Sequence, residues 1–288
     1  METNNQQTAE NWSEIISPNR KLLDIRLKEV WQYRDLMFIF VKRDFAGAYK
    51  QTLLGPVWFF ISPFITVIMY TFVFNTIAGI NTDGIPPAIF YMTGTILWNY
   101  FNQCFISSSG TFINNAGIFG KVYFPRLISP LSTILSNLVK FFIQLGVLIT
   151  LILYYVYAKG FAVHINIYIL LFPVLIVLMA GLALGIGIIT SALTTKYRDF
   201  QLFINYGVAM LMYVTPVIYP ISQVPAQFKP YLMLNPLAPI IETFRYSIFG
   251  LGSFSWGALG YTTAFMFVVL IIGIVIFNQV EKTFMDTV

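Results

Sequence analysis

The chain has 288 residues, of which 57% are hydrophobic and only 10% are charged, and its mean hydropathy is +0.74. A soluble globular domain carries about 25% charged residues, so this composition excludes a water-soluble fold. The formal net charge of +5 does not point to a nucleic-acid partner, and the lone cysteine, Cys104, excludes an internal disulfide. The composition predicts an all-α protein that crosses a membrane several times.

The first 50 residues are polar and contain no apolar core of the kind found in signal peptides. Residues 1–21 predict a disordered cytoplasmic tail. Residues 22–50 predict an amphipathic helix whose apolar side chains recur at three- and four-residue steps: Leu23, Leu27, Val30, Trp31, Phe38, Val41 and Phe45. Basic residues and a tryptophan favour a helix lying in the headgroup plane, although a solvated lead-in helix fits the same pattern.

Six apolar runs within residues 51–288 reach or approach the roughly 20 residues that a helix needs to cross the hydrocarbon core. They cover residues 57–78, 88–105, 128–157, 168–193, 202–219 and 258–277. If the runs alternate in direction, most Lys and Arg residues fall on one side of the membrane. The positive-inside bias then places both termini in the cytoplasm.

Two of the connections on the predicted cytoplasmic side carry distinctive residues. Residues 107–130 contain an Asn pair and then a Pro–Arg turn flanked by aromatic residues. Such a turn favours a short rigid knob that could dock a cytoplasmic partner, and an ordinary polar connection fits equally well. The second connection holds a compact charged cluster of Lys196, Arg198 and Asp199, which could also be a snorkelling anchor.

Residues 216–252 predict a re-entrant hairpin on the outer side, before the last span. Six of the 14 prolines fall between Pro216 and Pro239, so one straight helix is excluded, yet the stretch is strongly apolar. Irregular backbone at membrane depth must be shielded by protein or line a wet cavity, which makes this region a candidate gate. Glu242 and Arg245 have the three-residue spacing of an ion pair on one helical face.

The sequence offers little chemistry of its own. No Walker A motif is present, and the single histidine excludes a histidine-based metal cluster. All 12 Asp and Glu residues lie outside the predicted spans, so ion-coupled transport has little support. Lys140 is the only ionisable residue well inside a span, where it is either functional or a lysine that snorkels toward the cytoplasm. The class of protein that remains compatible with the sequence is a transporter that draws its energy from another subunit.

Several short stretches, taken in order, resemble the membrane permease of type-2 ABC exporters of lipid-linked polysaccharides such as O-antigen, teichoic acid and capsule. They are residues 33–36, 43–44, 49–55, 121–126, 197–199, 215–220 and 235–237, followed by Glu242 and Arg245. The resemblance spans residues 22–280. It implies a homodimer in the bacterial cytoplasmic (inner) membrane, working with two copies of an ATPase subunit that binds the ATP and Mg²⁺. This chain would then bind no cofactor or metal and would have no catalytic residue.

The resemblance also implies roles for particular residues. The cytoplasmic gate helix would include Trp31, Arg34, Arg43, Asp44, Tyr49 and Lys50. The loop that couples to the ATPase would include Asn114, Asn115, Lys121, Tyr123, Pro125 and Arg126. The external re-entrant gate would include Pro216, Tyr219, Pro220, Asn235, Pro236, Glu242 and Arg245. A permease of this class for a drug or simple lipid is an alternative, and an integral-membrane glycosyl- or acyltransferase is a further one.

Overall fold

The computed structural model describes residues 27–49, 54–197 and 199–287, and within these ranges every regular element is helical. The helices are α1 (Leu27–Gln32), α2 (Arg34–Tyr49), α3 (Trp58–Tyr70), α4 (Pro87–Ser109), α5 (Thr111–Phe119), α6 (Ile128–Lys159), α7 (Phe172–Lys196), α8 (Phe200–Val214), α9 (Lys229–Met233), α10 (Ala238–Phe249) and α11 (Trp256–Thr287). Short 3₁₀ turns lie at Gly55–Val57, Ile167–Leu171 and Ile221–Gln223, and α3 continues as a π-helix over Thr71–Ile77. The predicted tail and residues 22–26 lie outside the described residues.

Among the residues that the structure describes, four helical segments are long and apolar enough to cross a membrane. They are Trp58–Ile77, Ile128–Lys159, Ile167–Lys196 and Trp256–Val280. The run at 88–105 forms α4, whose 23 residues span about 35 Å, but its second half carries Asn99, Asn102 and Gln103. The run at 202–219 forms only the 15 residues of α8, about 22 Å. A multi-pass helical membrane protein is therefore confirmed, with four spans that length and composition identify.

Helix α4 is the centre of the bundle. Sixteen of its residues are buried, among them Cys104, and α3, α6, α7, α8 and α10 all pack against it. Asn99, Asn102 and Gln103 are not among these buried residues, so they lie on the part of α4 that the neighbouring helices leave uncovered.

The predicted amphipathic helix is interrupted at Tyr33, where α1 ends and α2 begins. Backbone hydrogen bonds from Tyr33 N to Glu29 O and from Met37 N to Tyr33 O continue the helical pattern across this residue. At about 100° per residue, Trp31 and Phe38 lie to one side of Val30 and Phe40 lies to the other. Val30 and Phe40 are buried, whereas Trp31 and Phe38 are 68% and 56% exposed. The apolar surface of this segment is divided between a protein-facing and an outward-facing part.

The two ends of the bundle are held together by different connections. At the α10 end, Ser222 donates a hydrogen bond of 2.7 Å to Asp83, and the backbone N–H of Asn166 donates one of 3.0 Å to Ser247 O. At the opposite, α5 end, Thr194 donates one of 2.7 Å to Ser109 O. The predicted outer and cytoplasmic connections thus collect at opposite ends.

Helices α7 and α11 approach each other closely at glycines. A Cβ on Gly185 would lie 3.0 Å from the backbone nitrogen of Leu270 and 2.9 Å from Val269 Cγ1, and one on Gly273 would lie 3.0 Å from Gly185 O. Small residues at a helix contact allow such an approach, and van der Waals packing is the main attraction between helices in lipid.

We expect Gly185→Val to lower the free energy of unfolding by about 1–3 kcal/mol, because the added side chain forces α7 and α11 apart. Thermal unfolding of the detergent-solubilised protein measures the effect. Gly146→Val on α6 is the matched control, since a Cβ there has open space around it. Equal melting temperatures for the two variants would contradict the close-packing interpretation.

Candidate functional site

The first candidate site is the segment from α5 through the following turn, residues 111–127, called the α5 segment below. Asn114, Lys121 and Tyr123 are exposed, as docking residues must be. Asn115 is buried, and its side chain donates a hydrogen bond of 2.9 Å to Thr111 O. Pro125 and Arg126 are half-buried, and the Arg126 guanidinium lies 5.6 Å from the centre of the Phe119 ring. The predicted set therefore divides into residues that face outward and residues that hold the segment in place.

An apolar residue that sequence reasoning missed is the most exposed hydrophobic side chain of this turn. Val122 is 58% exposed, between the exposed Lys121 and Tyr123. The turn therefore presents a small apolar tip with a basic neighbour. Its position between a charged and an aromatic residue was the only sequence signal available.

A group of buried apolar residues, most of them phenylalanines, joins the α5 segment to the rest of the bundle and is called here the Phe cluster. Its buried members are Val30, Phe40, Phe112, Phe119, Phe124, Ile128, Ile188 and Phe277. The ring of Phe124 packs edge-to-face on Phe40 of α2, with centroids 5.6 Å apart, and Phe112 lies 4.8 Å from Phe277 of α11. The α5 segment is thus in direct contact with both α2 and α11.

The predicted gate residues lie along α1 and α2. The Arg34 guanidinium lies 5.5 Å from the Trp31 ring and 3.9 Å from Asp35, all on the exposed side. Arg43 forms a 2.8 Å ion pair with Asp44 and lies over the Phe40 ring at 4.5 Å. Tyr49 ends α2, and Lys50 lies outside the described residues.

The second charged connection lies near the end of α4. Lys196 is the last residue of α7, with its ammonium 5.3 Å from the Tyr197 ring, and Asp199 precedes the first residue of α8. Arg198 lies outside the described residues. Gln201 donates a 3.3 Å hydrogen bond to the Ser109 hydroxyl, so this connection is tied to α4 close to the α5 segment.

At the other end of the bundle, Arg245 organises the residues of the predicted external gate. Its Nη1 and Nη2 donate hydrogen bonds of 2.6 and 2.7 Å to the carbonyl oxygens of Pro216 and Val217. The guanidinium lies 3.7 Å from the Phe90 ring of α4, and Nη1 is 3.4 Å from Glu242 Oε1. The ion pair has the three-residue spacing that the sequence predicts. Arg245 therefore connects α10, α4 and the proline-rich turn.

Glu242 is buried beside Arg245 and accepts a further hydrogen bond of 3.3 Å from the backbone N–H of Ser253. Burial raises the pKa of its carboxyl above the ordinary value, and the neighbouring guanidinium opposes that rise. The pair is thus stabilised by its hydrogen bonds to backbone as well as by the attraction between the two side chains.

The remaining external residues stabilise the same turn. Asn235 donates a 2.8 Å hydrogen bond to the Thr215 hydroxyl, and Tyr219 donates one of 2.9 Å to Tyr213 O. The carbonyl of Pro236 accepts one of 3.1 Å from Thr262 on α11. Pro216 and Pro220 are buried. The predicted residues thus come together, and Phe90 and Thr93 of α4 complete the set without any distinguishing sequence signal.

Lys140, the predicted intramembrane charge, lies on α6 beside α4. Its ammonium donates hydrogen bonds to Asn137 Oδ1 at 2.9 Å and to Gln103 Oε1 at 3.5 Å, and lies 5.9 Å from the Phe59 ring. Within the part of the chain that the structure describes, no three His, Cys, Asp or Glu residues are grouped so that they could hold a metal ion.

With both ends of the bundle described, comparison with known proteins identifies the family. Residues 35–249, from α2 to the last residue of α10, match the family described as ABC-2 type transporter. The chain belongs to this family. Its motifs therefore occur within an ABC-2 transporter domain, in agreement with the resemblance found in the sequence.

Curated relatives of this ABC-2 chain include permeases of polysaccharide export. The O-antigen export system permease protein RfbA of Klebsiella pneumoniae is 26% identical over 253 residues, which cover 88% of this chain and 94% of the relative. RfbA of Myxococcus xanthus is 26% identical, with coverage of 77% and 83%. The polysialic acid transport protein KpsM of Escherichia coli is 25% identical, with coverage of 85% and 93%.

We expect Arg245→Gln to lower the free energy of unfolding of this ABC-2 chain by about 3–5 kcal/mol, because Glu242 is left buried without its partner. Arg34→Gln is the matched control, since the Arg34–Asp35 pair is exposed and weak. Thermal unfolding in detergent measures both. A melting temperature for Arg245→Gln close to that of Arg34→Gln would show that the network contributes little.

Proposed function

We propose that this chain is the membrane-spanning permease of an ATP-driven exporter of lipid-linked polysaccharide. The observation that carries the proposal is similarity over nearly the whole length to permeases named for O-antigen export and polysialic acid transport. Membership of the ABC-2 family supports the same class of protein. ATP and Mg²⁺ bind a separate ATPase subunit, two copies of which act with a homodimer of the permease.

In this proposal the chain crosses the cytoplasmic membrane six times, with both termini in the cytoplasm. The four apolar spans are joined by α4 and α8 as the second and fifth crossings. Two observations support this count: α4 has the length of a span, and most of its surface is buried by other helices. The α5 segment and the 196–199 connection lie at one end of the bundle, and α10 lies at the other. This arrangement is the one expected if successive crossings alternate in direction.

The conduit wall is the polar face formed by Asn99, Asn102 and Gln103 of α4 with Lys140 and Gln144 of α6. Polar side chains at membrane depth face a protein interior or a water-filled cavity. Gln103 is exposed on a helix that is otherwise largely buried, so an aqueous conduit between two copies of the chain is the environment that suits this face.

The α5 segment docks on the ATPase through the tip formed by Lys121, Val122 and Tyr123. The exposure of Val122 supports this role, because an exposed apolar side chain at a rigid turn is well suited to a pocket on a partner. Asn115 and Arg126 hold the segment in shape and act indirectly.

We expect Val122→Asp to abolish co-purification with the ATPase subunit encoded with this gene, because the new carboxylate would be desolvated in the docking pocket. Stimulated ATP hydrolysis should be lost with it. Tyr197→Asp is the matched control: Tyr197 is 57% exposed at the same end of the bundle but lies outside the α5 segment. Wild-type association of Val122→Asp would exclude the docking role, and no association by the wild-type chain would refute the ATP-driven function.

Movement of the docked α5 segment is transmitted to the gate helix through the Phe cluster. The contact between Phe124 of the segment and Phe40 of α2 is the direct connection, and the Arg43 guanidinium also lies over the Phe40 ring. Displacement of the segment by the ATPase therefore acts on α2 without passing through the spanning helices. In this proposal α2 opens the cytoplasmic entrance, and residues 216–252 close the outer end.

We expect Phe40→Leu to reduce polysaccharide export several-fold while co-purification with the ATPase stays at the wild-type level, because the edge-to-face contact with Phe124 is lost. Cell-surface polysaccharide and ATPase association are measured in parallel. Phe38→Leu on the same helix is the matched control, because Phe38 is exposed. Equal export by the two variants would exclude transmission through Phe40.

A further inference from the structure

The charge on Lys140 is not neutralised by any described carboxylate. Lys140 is the thirteenth residue of α6, about 18 Å from the start of this apolar span. Its neighbours Asn137 and Gln103 accept hydrogen bonds but carry no charge. Asp44 on α2 is close enough to act on Lys140 electrostatically, but its carboxylate pairs with Arg43 at 2.8 Å. A charged group at this depth requires a counter-charge or a wet environment.

Two further donors beside Lys140 have no hydrogen-bond partner among the described residues. They are the side-chain amide nitrogen of Asn137 and the hydroxyl of Tyr100, and both residues are more than nine-tenths buried. Their neighbour is the Cys104 thiol, a weak acceptor. Buried polar atoms without partners are costly, so they indicate that an acceptor is missing.

Lys140, Asn137 and Tyr100 line one cleft between α4 and α6, together with Asn99, Gln103, Phe141 and Gln144. The enclosed part of the cleft is about 10 Å³, enough for one water molecule or one oxygen atom of a larger group. The rest of the cleft is open, so a bulkier group can remain outside while one of its oxygens enters.

We propose that this cleft binds a phosphate group of a lipid, one oxygen of which enters between Lys140, Asn137 and Tyr100. An anionic phosphate oxygen supplies both the acceptor for the two unpartnered donors and the counter-charge for the ammonium, and lysine binds phosphate as a point charge. A neutral sugar hydroxyl would satisfy the donors but leave the charge uncompensated. The inference rests on the permease function proposed above, because the cleft opens on the polar face assigned there to the conduit.

The phosphate could belong to a polyprenyl-linked cargo or to a bilayer phospholipid. Both contain an anionic phosphate joined to long hydrocarbon chains, directly in the polyprenyl lipid and through glycerol in the phospholipid. The chemistry that the cleft recognises is the same, and the test separates the two sources.

The test uses the permease–ATPase complex in a maltoside detergent and a buffer without phosphate. Polyprenyl pyrophosphate and phosphatidylglycerol are the two probes, and binding is followed by native mass spectrometry. We expect Lys140→Gln to weaken binding at least about tenfold, as for loss of a hydrogen bond to a charged group. Lys140→Arg should retain most of the affinity. Lys159→Gln, at the exposed far end of the same helix, is the matched control and should bind normally.

Tyr100→Phe separates ligand binding from a structural role. The hydroxyl has no hydrogen-bond partner among the described residues apart from the weakly accepting Cys104 thiol nearby, so its removal should leave the melting temperature unchanged or higher while weakening binding a few-fold. Tighter binding of the pyrophosphate identifies the cargo as the source, and equal binding of both probes identifies the bilayer. Unchanged affinity of Lys140→Gln for both probes, or no binding by the wild-type complex, overturns the inference.

The same preparations distinguish this inference from the permease function. ATPase association and stimulated ATP hydrolysis are measured alongside lipid binding. A wild-type complex that assembles and hydrolyses ATP, with Lys140→Gln binding both lipids normally, overturns the phosphate site alone. A chain that binds lipid through Lys140 but never associates with the ATPase refutes the permease function and leaves the lysine site in place.

Discussion

The α10 end of the structure depends on the hydrogen bonds and the ion pair of the buried Arg245 guanidinium. The prolines between Pro216 and Pro239 break the helix and remove backbone donors, so carbonyl groups are left without helical partners. Such groups are costly inside a membrane protein unless another part of the chain satisfies them. Arg245 does so for the carbonyls of Pro216 and Val217 and also holds Glu242. A single side chain therefore makes an irregular, apolar turn compatible with burial.

The same network explains why α4 must come so close to α10. A Cβ on Gly94 would lie 2.6 Å from Val217 O and 2.7 Å from Arg245 Nη2, so a larger residue would displace both groups. Because α4 also reaches the α5 segment through Gly110, one helix connects the proline-rich turn to the opposite end of the bundle. The two ends differ in chemistry: hydrogen bonds to a charged group fix the α10 end, and aromatic packing fixes the α5 end.

Much of the architecture could be predicted from local patterns, but the contacts between distant residues could not. Short stretches of sequence are enough to predict the apolar runs, the proline-broken region and the Glu242–Arg245 pair. The contact between Phe40 and Phe124 joins residues more than 80 positions apart, and nothing distinguishes these phenylalanines from others in the chain. The amphipathic pattern of residues 22–50 was misleading for Trp31 and Phe38, because a wide apolar stripe does not show which part of it faces the protein: Val30 and Phe40 are buried, whereas Trp31 and Phe38 are exposed.

Helix α4 shows why hydropathy alone can fail to identify a central helix as a membrane span. Lipid-facing helices must be apolar because nothing else shields their surfaces, and the four segments identified by composition have this character. A helix surrounded by others meets protein instead of lipid, so its composition is free to include Asn99, Asn102 and Gln103 on the side that remains open. Polarity concentrated on the one exposed face of a buried helix is expected where that face meets water. The residue types that make α4 a poor membrane span by composition are therefore those that would suit it to the conduit proposed above.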